Sequence, residues 1–251
     1  PQSPTLPCRD STSRLHPFIR SLTREAPVPN LGTNLRSRCG TETQINSMAD
    51  NAESVSERTR FEAALERFDK ENAQDPNTEQ VNGEAVPREL AHALRLHEWV
   101  LKLSPQASEE LQLASRCQHI RRWTIPRDSY EMSRTGYLKW RAGLKEFHAE
   151  HSGEILRELG FPEDTISRVQ ALNRKEGFPA NPETRIMEDA LCLVFLQFQF
   201  AELATRTPEE KMITVLRKTW KKMSTAGRQE ALALTYGELE LSLIARAELS
   251  L

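Results

Sequence analysis

Residues 183–204, ETRIMEDALCLVFLQFQFAELA, form the most apolar helical stretch of the 251-residue chain and decide its predicted fold. Their apolar residues recur at three- and four-residue spacing, which is the period of a helix that buries one side. The aromatic-rich part, CLVFLQFQF, is therefore interpreted as the central buried helix of a domain. The run is shorter than the roughly 20 apolar residues that a membrane-spanning helix needs, so no membrane partner is predicted.

The same helical period continues through most of the chain from Ser56 onward. It is found in the segments 60–68, 89–103, 108–120, 137–159, 163–176, 208–223 and 227–249. No segment shows the sustained alternation of a strand, although NTEQVNGEAVP (77–87) can form a small hairpin through its Asn-Gly pair. The pattern predicts a single all-α domain over residues 56–251, with short connections.

Capping and breaking residues mark the expected helix boundaries. The expected starts are Ser104-Pro105, Ser108 and Thr207-Pro208, and the expected ends are Gly160 and Gly177. A further helix is expected to end near Trp123, because Pro126 disfavours helix just before it. The irregular segment 123–135 then separates two strong helices and is a candidate functional loop.

Residues 1–55 differ in composition and are predicted to form a disordered tail rich in Arg, Ser and Pro. The first 47 residues contain six Arg, six Pro and no Lys, which is typical of an organellar transit peptide. The run that begins at Met48, MADNAESVSERTRFEAALERFD, also looks like an ordinary protein start, so upstream sequence is an equal interpretation. The expected location is cytoplasmic, or mitochondrial if the tail is a transit peptide.

Charge, cysteine spacing and short motifs exclude several function classes. The formal net charge of −2 argues against general nucleic-acid binding, which depends on an excess of Lys and Arg. The four cysteines lack C-x-x-C spacing, and Cys117 and Cys192 lie in apolar helical patterns, so buried thiols are expected. The chain has no P-loop, dinucleotide-binding or serine-hydrolase motif.

Histidines and carboxylates on successive predicted helices form a candidate site. His92, His119 and His148 lie 27 and 29 residues apart, and Glu188-Asp189 lies in the most apolar helix. Helical bundles build metal and ligand sites by projecting one residue from each of several helices. We interpret His119, Asp189 and Glu188 as candidate catalytic acid/base groups; the alternative is that each residue only packs in the core.

A run of cations and aromatic residues follows the second histidine, beginning with HIRRWTIPRDSY (119–130). Guanidinium groups bind phosphate through two parallel hydrogen bonds, and aromatic rings offer stacking faces. The predicted ligand-binding residues are Arg121, Arg122, Arg127, Arg134, Tyr137, Arg141, Lys145 and Lys175. An internal network with Asp128 and Glu131 is the equal alternative. The expected partner is a phosphorylated small molecule or nucleotide.

Three segments resemble the HD-type metal-dependent phosphohydrolase domain: residues 92–120, residues 147–177 and ETRIMEDALCLVF (183–195). The resemblance implies an HD-like helical bundle and a divalent metal (Mn, Fe, Zn or Mg), with the metal ligands His92, His119, His148 and Asp189. The chain departs from the pattern at Ile120, where the His-Asp dyad of the family has Asp. The alternative is a metal-free cleft that binds a phosphorylated ligand.

A second resemblance spans nearly all of residues 60–245. The segments 60–90, QHIRRWTIPRDSY (118–130), GYLKWRAGLKEFHAEHSGEIL (136–156), EDALCLVFLQFQF (188–200) and LRKTWKKMS (216–224) are similar to a compact family known as a domain of unknown function, number four-two-zero-two. This resemblance implies a stand-alone domain without an established activity.

Two short segments superficially resemble the HIGH and KMSKS signatures of class I aminoacyl-tRNA synthetases. They are HIRR (119–122) and KMST (222–225). The HIGH motif needs its glycine for close approach to ATP at a turn of a parallel sheet, whereas this chain has Arg121 there and no legible strands. Synthetase activity is therefore disfavoured.

The leading hypothesis is a domain that binds a phosphorylated small ligand or nucleotide in an HD-like cleft. If the protein is an enzyme, a phosphohydrolase-like reaction is expected. The alternative is a non-enzymatic module in which the same residues form a rigid polar network that presents a surface to a partner.

Overall fold

The computed structural model describes residues 59–249, and helices dominate them. Helix α1 covers 59–72 and is followed by a hairpin of β1 (Thr78–Val81) and β2 (Glu84–Pro87). The later helices are α2 (Arg88–Leu103), α3 (Glu109–Cys117), α4 (Arg134–Glu158), α5 (Glu163–Arg174), α6 (Pro182–Val194), α7 (Phe200–Arg206), α8 (Glu209–Lys222), α9 (Thr225–Leu232) and α10 (Glu238–Arg246). The predicted all-α class is confirmed. The predicted tail, residues 1–55, lies outside the described residues.

The stretch around α6 lies at the centre of the core, as its composition predicts. Met187, Ala190, Leu193 and Val194 are fully buried. The helix packs against α2, α3, α5, α8 and α9, so its apolar faces contact neighbours on several sides. The free cysteine Cys192 is also buried there, and the expectation of a buried thiol is confirmed at this position. In the part of the chain that the structure describes, no helix has the length and apolar character to cross a membrane.

The apolar stretch is not one uninterrupted helix, contrary to the prediction. A π-helix at Phe195–Gln199 separates α6 from α7. The wider turn changes the helical register, so that Leu196 within it and Phe200 directly after it are both buried. The Gln197 side-chain oxygen accepts a hydrogen bond of 2.8 Å from the indole nitrogen of Trp99 on α2. A hydrophobic period alone does not reveal such a one-residue shift.

Three other predicted boundaries differ from the structure. Helix α3 ends at Cys117 rather than near Trp123, and the turn that follows contains Arg121 in a left-handed conformation with φ of 52°. The prediction that Ser104-Pro105 opens a helix is wrong, since Ser104 is the C-cap of α2. The segment 227–249 contains two helices, α9 and α10, rather than one.

Several turn predictions are confirmed. Asn82 and Gly83 have positive φ angles and join β1 to β2, which pair antiparallel. The hydroxyl of Ser108 accepts a hydrogen bond from the Leu111 backbone and caps α3. Gly160 follows α4 with φ of 76°, a conformation that glycine adopts without steric cost.

The irregular segment between α3 and α4 is held by side chains that bond to its own backbone. The Arg127 guanidinium donates hydrogen bonds to the carbonyl oxygens of Tyr130, Glu131 and Ser133, at 2.8–3.2 Å. The Trp140 indole donates to the Ile125 carbonyl at 2.9 Å. These bonds fix the path of the chain into α4.

Gly136→Ala should destabilise the domain at this loop. A Cβ atom there would lie 2.1 Å from the Glu131 carbonyl oxygen, which Arg127 holds in place. We expect a loss of about 1–3 kcal/mol, the usual cost of overpacking, in urea unfolding followed by circular dichroism.

Gly143→Ala on the same helix is the matched control. Its Cβ would meet only the Tyr130 hydroxyl, at 3.1 Å, and alanine is favoured over glycine in helices by about 1 kcal/mol. This variant should be neutral or stabilising, and equal losses for the two variants would contradict the close approach at Gly136.

Candidate functional site

A cavity of about 330 Å³ lies where α2, α4, α6, α8 and the turn after α3 meet. The predicted site residues that line it are His92, His119, Arg122, Tyr137, Arg141, Lys145, His148, Lys175 and Glu188. The structure thus brings together residues from five separate segments of the chain. Of the residues from which the cleft was predicted, His119, His148 and Glu188 line this cavity, and Asp189 does not.

Helix α4 supplies one whole wall of this cavity. Tyr137, Arg141, Lys145 and His148 are spaced by four, four and three residues, so they lie along one face of the helix. Leu144 from the same face also lines the cavity. The wall therefore changes from exposed aromatic and cationic groups at its start to buried groups at His148.

The cavity has a strong excess of positive charge. Among the described residues, Glu188 is the single carboxylate that lines it, and the lining cations are Arg122, Arg141, Lys145, Lys175 and Lys222. Lys222 was not among the predicted binding residues, because at the end of an amphipathic helix its charge is explained by the helix dipole alone. Only the ion pair between Lys222 and Glu188 on α6 shows that Lys222 belongs to the site.

Glu188 bridges two of these lysines inside the cavity wall. One carboxylate oxygen pairs with the Lys175 amino group, and the other lies 3.0 Å from the amino group of Lys222. Burial raises the pKa of Glu188, but attraction and hydrogen bonds from the two lysines outweigh it and lower the pKa to about 2. Glu188 is therefore ionised near neutral pH, as a fixed anion between two cations.

Three histidines form a contiguous cluster at the inner end of the cavity. The rings of His92 and His119 are stacked with centroids 4.2 Å apart, and His148 lies 5.8 Å from His119. The Nδ1 atom of His148 is 2.8 Å from the Ile120 carbonyl, which can only accept, so Nδ1 donates and Nε2 keeps its lone pair. The Nε2 atoms of His92 and His148 are buried without a hydrogen-bond partner in the described residues.

Burial keeps these rings neutral near pH 7. Desolvation is the main cause that lowers the pKa of His92 to about 3 and of His148 to about 4. The pKa of His119 is also well below its ordinary value, through burial and then through repulsion from Arg122. The cluster therefore offers lone pairs and N–H groups rather than added positive charge.

Glu89 contacts this cluster and was missed by the sequence analysis. One of its carboxylate oxygens lies 3.4 Å from His119 Nδ1, and the other lies 3.8 Å from Arg122 Nε. Burial raises the pKa of Glu89 above its ordinary value. The sequence feature that indicates Glu89 is its spacing of three residues from His92, which puts both residues on one face of α2.

Asp189 does not join the histidines, so the predicted metal site is not assembled. Its carboxylate accepts hydrogen bonds from the backbone and hydroxyl of Ser224 at the start of α9. One residue of helix turns the side chain by about 100°, which directs it away from the cavity that Glu188 faces. Among residues 59–249, no group of three or more His, Cys, Asp or Glu has a geometry that could hold a metal ion.

Three predicted binding residues lie elsewhere. Arg121 pairs with Glu71 on α1 at 2.6 Å, and Arg127 binds backbone carbonyls of its own loop. Arg134 is exposed at the first turn of α4 and does not line the cavity. Arg121 and Arg127 therefore have partners within the protein, but these are Glu71 and backbone carbonyls rather than the predicted side chains of Asp128 and Glu131.

The two segments that resemble synthetase signatures both reach this cavity, through His119 and Lys222. Their surroundings are nevertheless those of a helical domain. The sheet in the described residues is a two-stranded antiparallel hairpin, not the parallel nucleotide-binding sheet of that enzyme class. The structure gives no support to a synthetase.

Comparison with known proteins identifies a family. The model of the family described as "Domain of unknown function (DUF4202)" matches residues 62–244. Because this match covers more than half of the chain, the protein belongs to that family. No curated protein and no solved structure matched the chain. The resemblance to HD-type phosphohydrolases stays a prediction.

The buried histidines should make the domain sensitive to mild acid. The pKa values of His92 and His148 in the folded state lie below the ordinary value of about 6.5, so the unfolded chain binds more protons between pH 6.5 and about 4. Stability should therefore fall as the pH drops through this window, by up to about 1.4 kcal/mol per pH unit for each histidine. Urea unfolding at pH 7, 6 and 5 measures the slope.

His148→Gln should reduce this pH slope even if it lowers stability at every pH. His151→Gln is the matched control on the same helix, since the side chain of His151 is 26 % exposed and lies beside Glu154. A free energy of unfolding that does not change between pH 7 and 5 would contradict the neutral, buried state of the cluster.

Proposed function

We propose that this member of the DUF4202 family binds a small phosphorylated molecule in the cavity, where the positive charge of the five lining cations attracts its phosphate. The observation that carries the proposal is the excess of positive charge in one concave site of a chain whose net charge is −2. Cations gathered in a cleft raise the local concentration of anions and orient them. The cavity volume is also in the range of small-molecule sites.

Two of the cations have no carboxylate partner in the described part of the chain. Lys145 has no hydrogen-bond or ion-pair partner there, and the polar contact of Arg141 is the Tyr137 hydroxyl at 3.4 Å. Both lie on the face of α4 that lines the cavity. Their charges are thus available to a ligand, and a phosphate group offers three acceptor oxygens to such donors.

The remaining cations are held in defined positions by neighbouring side chains. The Arg122 guanidinium lies 5.0 Å from the ring centroid of Trp140, which restricts its orientation. Lys175 and Lys222 are held by Glu188. A ligand therefore meets donors that are already ordered, which reduces the entropy lost on binding.

Hydrolysis of the bound phosphate ester is a second candidate function, favoured by the contact between Glu89 and His119. The Glu89 carboxylate lies beside Nδ1 of the ring, which leaves Nε2 to accept a proton. In this reaction His119 takes a proton from water, the water oxygen forms a bond to phosphorus, the ester P–O bond breaks, and the leaving oxygen receives the proton.

His119→Asn should lower such hydrolysis by about 100-fold, the usual minimum contribution of a positioned acid/base group. Release of inorganic phosphate from sugar phosphates and nucleotides measures this activity, and Lys139→Ala serves as the unaffected control. A wild-type protein that binds these compounds without releasing phosphate would exclude hydrolysis of them and favour a non-enzymatic binding module.

Binding itself is tested with pyrophosphate by isothermal titration calorimetry. Lys145→Ala and Arg141→Ala should each weaken binding by about tenfold, because each removes one charge-assisted hydrogen bond. Lys139→Ala is the matched control, since Lys139 is exposed on the same helix and does not line the cavity.

The affinity of the wild type should also fall as salt is added, because ions screen the attraction. The proposal fails if neither pyrophosphate nor another phosphate compound binds the wild type. It also fails if Lys139→Ala weakens binding as much as Lys145→Ala does, since the attraction would then be a general surface effect.

A further inference from the structure

A second cavity, of about 300 Å³, lies directly beside the first. The two cavities share part of their walls, and the shared residues are His92, His119, Arg122, Phe195 and Gln199. The stacked imidazoles of His92 and His119 therefore face both cavities. A ligand whose phosphate lies in the first cavity can therefore extend past this common wall into the second.

The two cavities differ in charge. Counted over residues 59–249, the second is lined by four arginines and three glutamates, whereas the first has five cations and one carboxylate. Two of the arginines are paired within the second cavity, Arg95 with Glu79 and Arg206 with Glu202. Positive charge is therefore largely compensated there, so this cavity is less suited to a phosphate and better suited to an uncharged polar group.

Hydrogen-bonding groups at the second cavity are not fully satisfied by the described residues. His92 is 7 % exposed and its Nε2 atom has no partner among the described residues. The contacts of Glu89, at 3.4 and 3.8 Å, are longer than ordinary charge-assisted hydrogen bonds. Buried polar atoms normally have partners, so an unsatisfied imidazole nitrogen beside a carboxylate with long contacts points to hydroxyl groups of a ligand, which can both donate and accept.

The π-helix places further recognition groups at the same wall. Phe195 and Gln199 line both cavities, and Phe198 lines the second. The Phe198 ring is 39 % exposed, and the Arg95 guanidinium lies 4.0 Å from its centroid. Single π-helical turns often occur at functional sites, and this one presents an aromatic face and an amide to the cavity while Leu196 stays buried.

We infer that the second cavity binds the sugar of a sugar phosphate, either free or as the ribose of a nucleotide. Its hydroxyl groups donate to the Glu89 carboxylate and form a hydrogen bond with His92, and its ring contacts Phe198. The inference rests on the proposed function, because it assigns the phosphate of the same ligand to the first cavity. The inference specifies the class of ligand, which the phosphate site alone does not determine.

The test compares pyrophosphate, ribose phosphate and adenosine monophosphate in titration calorimetry with the wild type and three variants. Glu202→Trp places a large side chain at the second cavity from an exposed position of α7. Phe198→Ala removes the aromatic face by a separate route. Thr205→Trp is the matched control, since Thr205 is exposed on the same helix and lines neither cavity.

We expect ribose phosphate to bind the wild type, and Glu202→Trp and Phe198→Ala to weaken this binding by about tenfold. The affinity for pyrophosphate should not change in either variant, and Thr205→Trp should leave the affinity for both ligands unchanged. If ribose phosphate and adenosine monophosphate bind the wild type with equal affinity, the ligand is a sugar phosphate. If adenosine monophosphate binds more tightly, the ligand is a nucleotide. Both results support the inference.

Unchanged ribose phosphate affinity in both Glu202→Trp and Phe198→Ala, with pyrophosphate still bound, would overturn the inference and leave the proposed function intact. Equal loss of pyrophosphate and ribose phosphate in these variants would also overturn it, because the second cavity would then not contact the sugar selectively. If the wild type binds no phosphate compound at all, the proposed function fails and the inference fails with it.

Discussion

The buried charge of Glu188 is the constraint on which the site depends. The residue lies on α6, whose other buried side chains form the centre of the core, and it is 5 % exposed. An ionised carboxylate in such a place needs cationic partners, because its lost hydration must be compensated. Lys175 follows α5 and Lys222 ends α8, so the ion pairs join the ends of these two helices to α6. The same contacts place both lysines at the cavity.

Most of the fold could be predicted because hydrophobic period and turn chemistry are local properties. The central helix and the hairpin at Asn82-Gly83 are confirmed, since each depends on residues within one short segment. The π-helix at Phe195–Gln199 was not predicted, because its wider turn depends on packing against α2. The left-handed Arg121 was missed for a similar reason: its side chain pairs with Glu71, 50 residues away.

In the candidate site, too, the features that depend on one helix can be predicted from the sequence, and those that depend on a distant partner cannot. Arg141 and Lys145 lie on one face of α4, because a spacing of four residues in a helix puts side chains on the same side. Residue type alone does not tell whether an arginine binds a ligand or the protein. Arg127 was predicted to bind a ligand, yet its donors contact three carbonyls of its own loop. Asp189 was misassigned because Ser224, its partner, lies 35 residues later.

In the proposed function, Glu188 also determines which cations govern affinity. Lys175 and Lys222 already contact a carboxylate, so a phosphate that approaches them must share donors with Glu188. Like charges repel, and this repulsion offsets part of what the two lysines contribute. Arg141 and Lys145 have no such carboxylate partner in the described residues, so their contacts with a ligand gain the larger net free energy. The lysines and Glu188 then act as an ordered wall that limits how deeply an anion enters, and this keeps the phosphate near the face of α4.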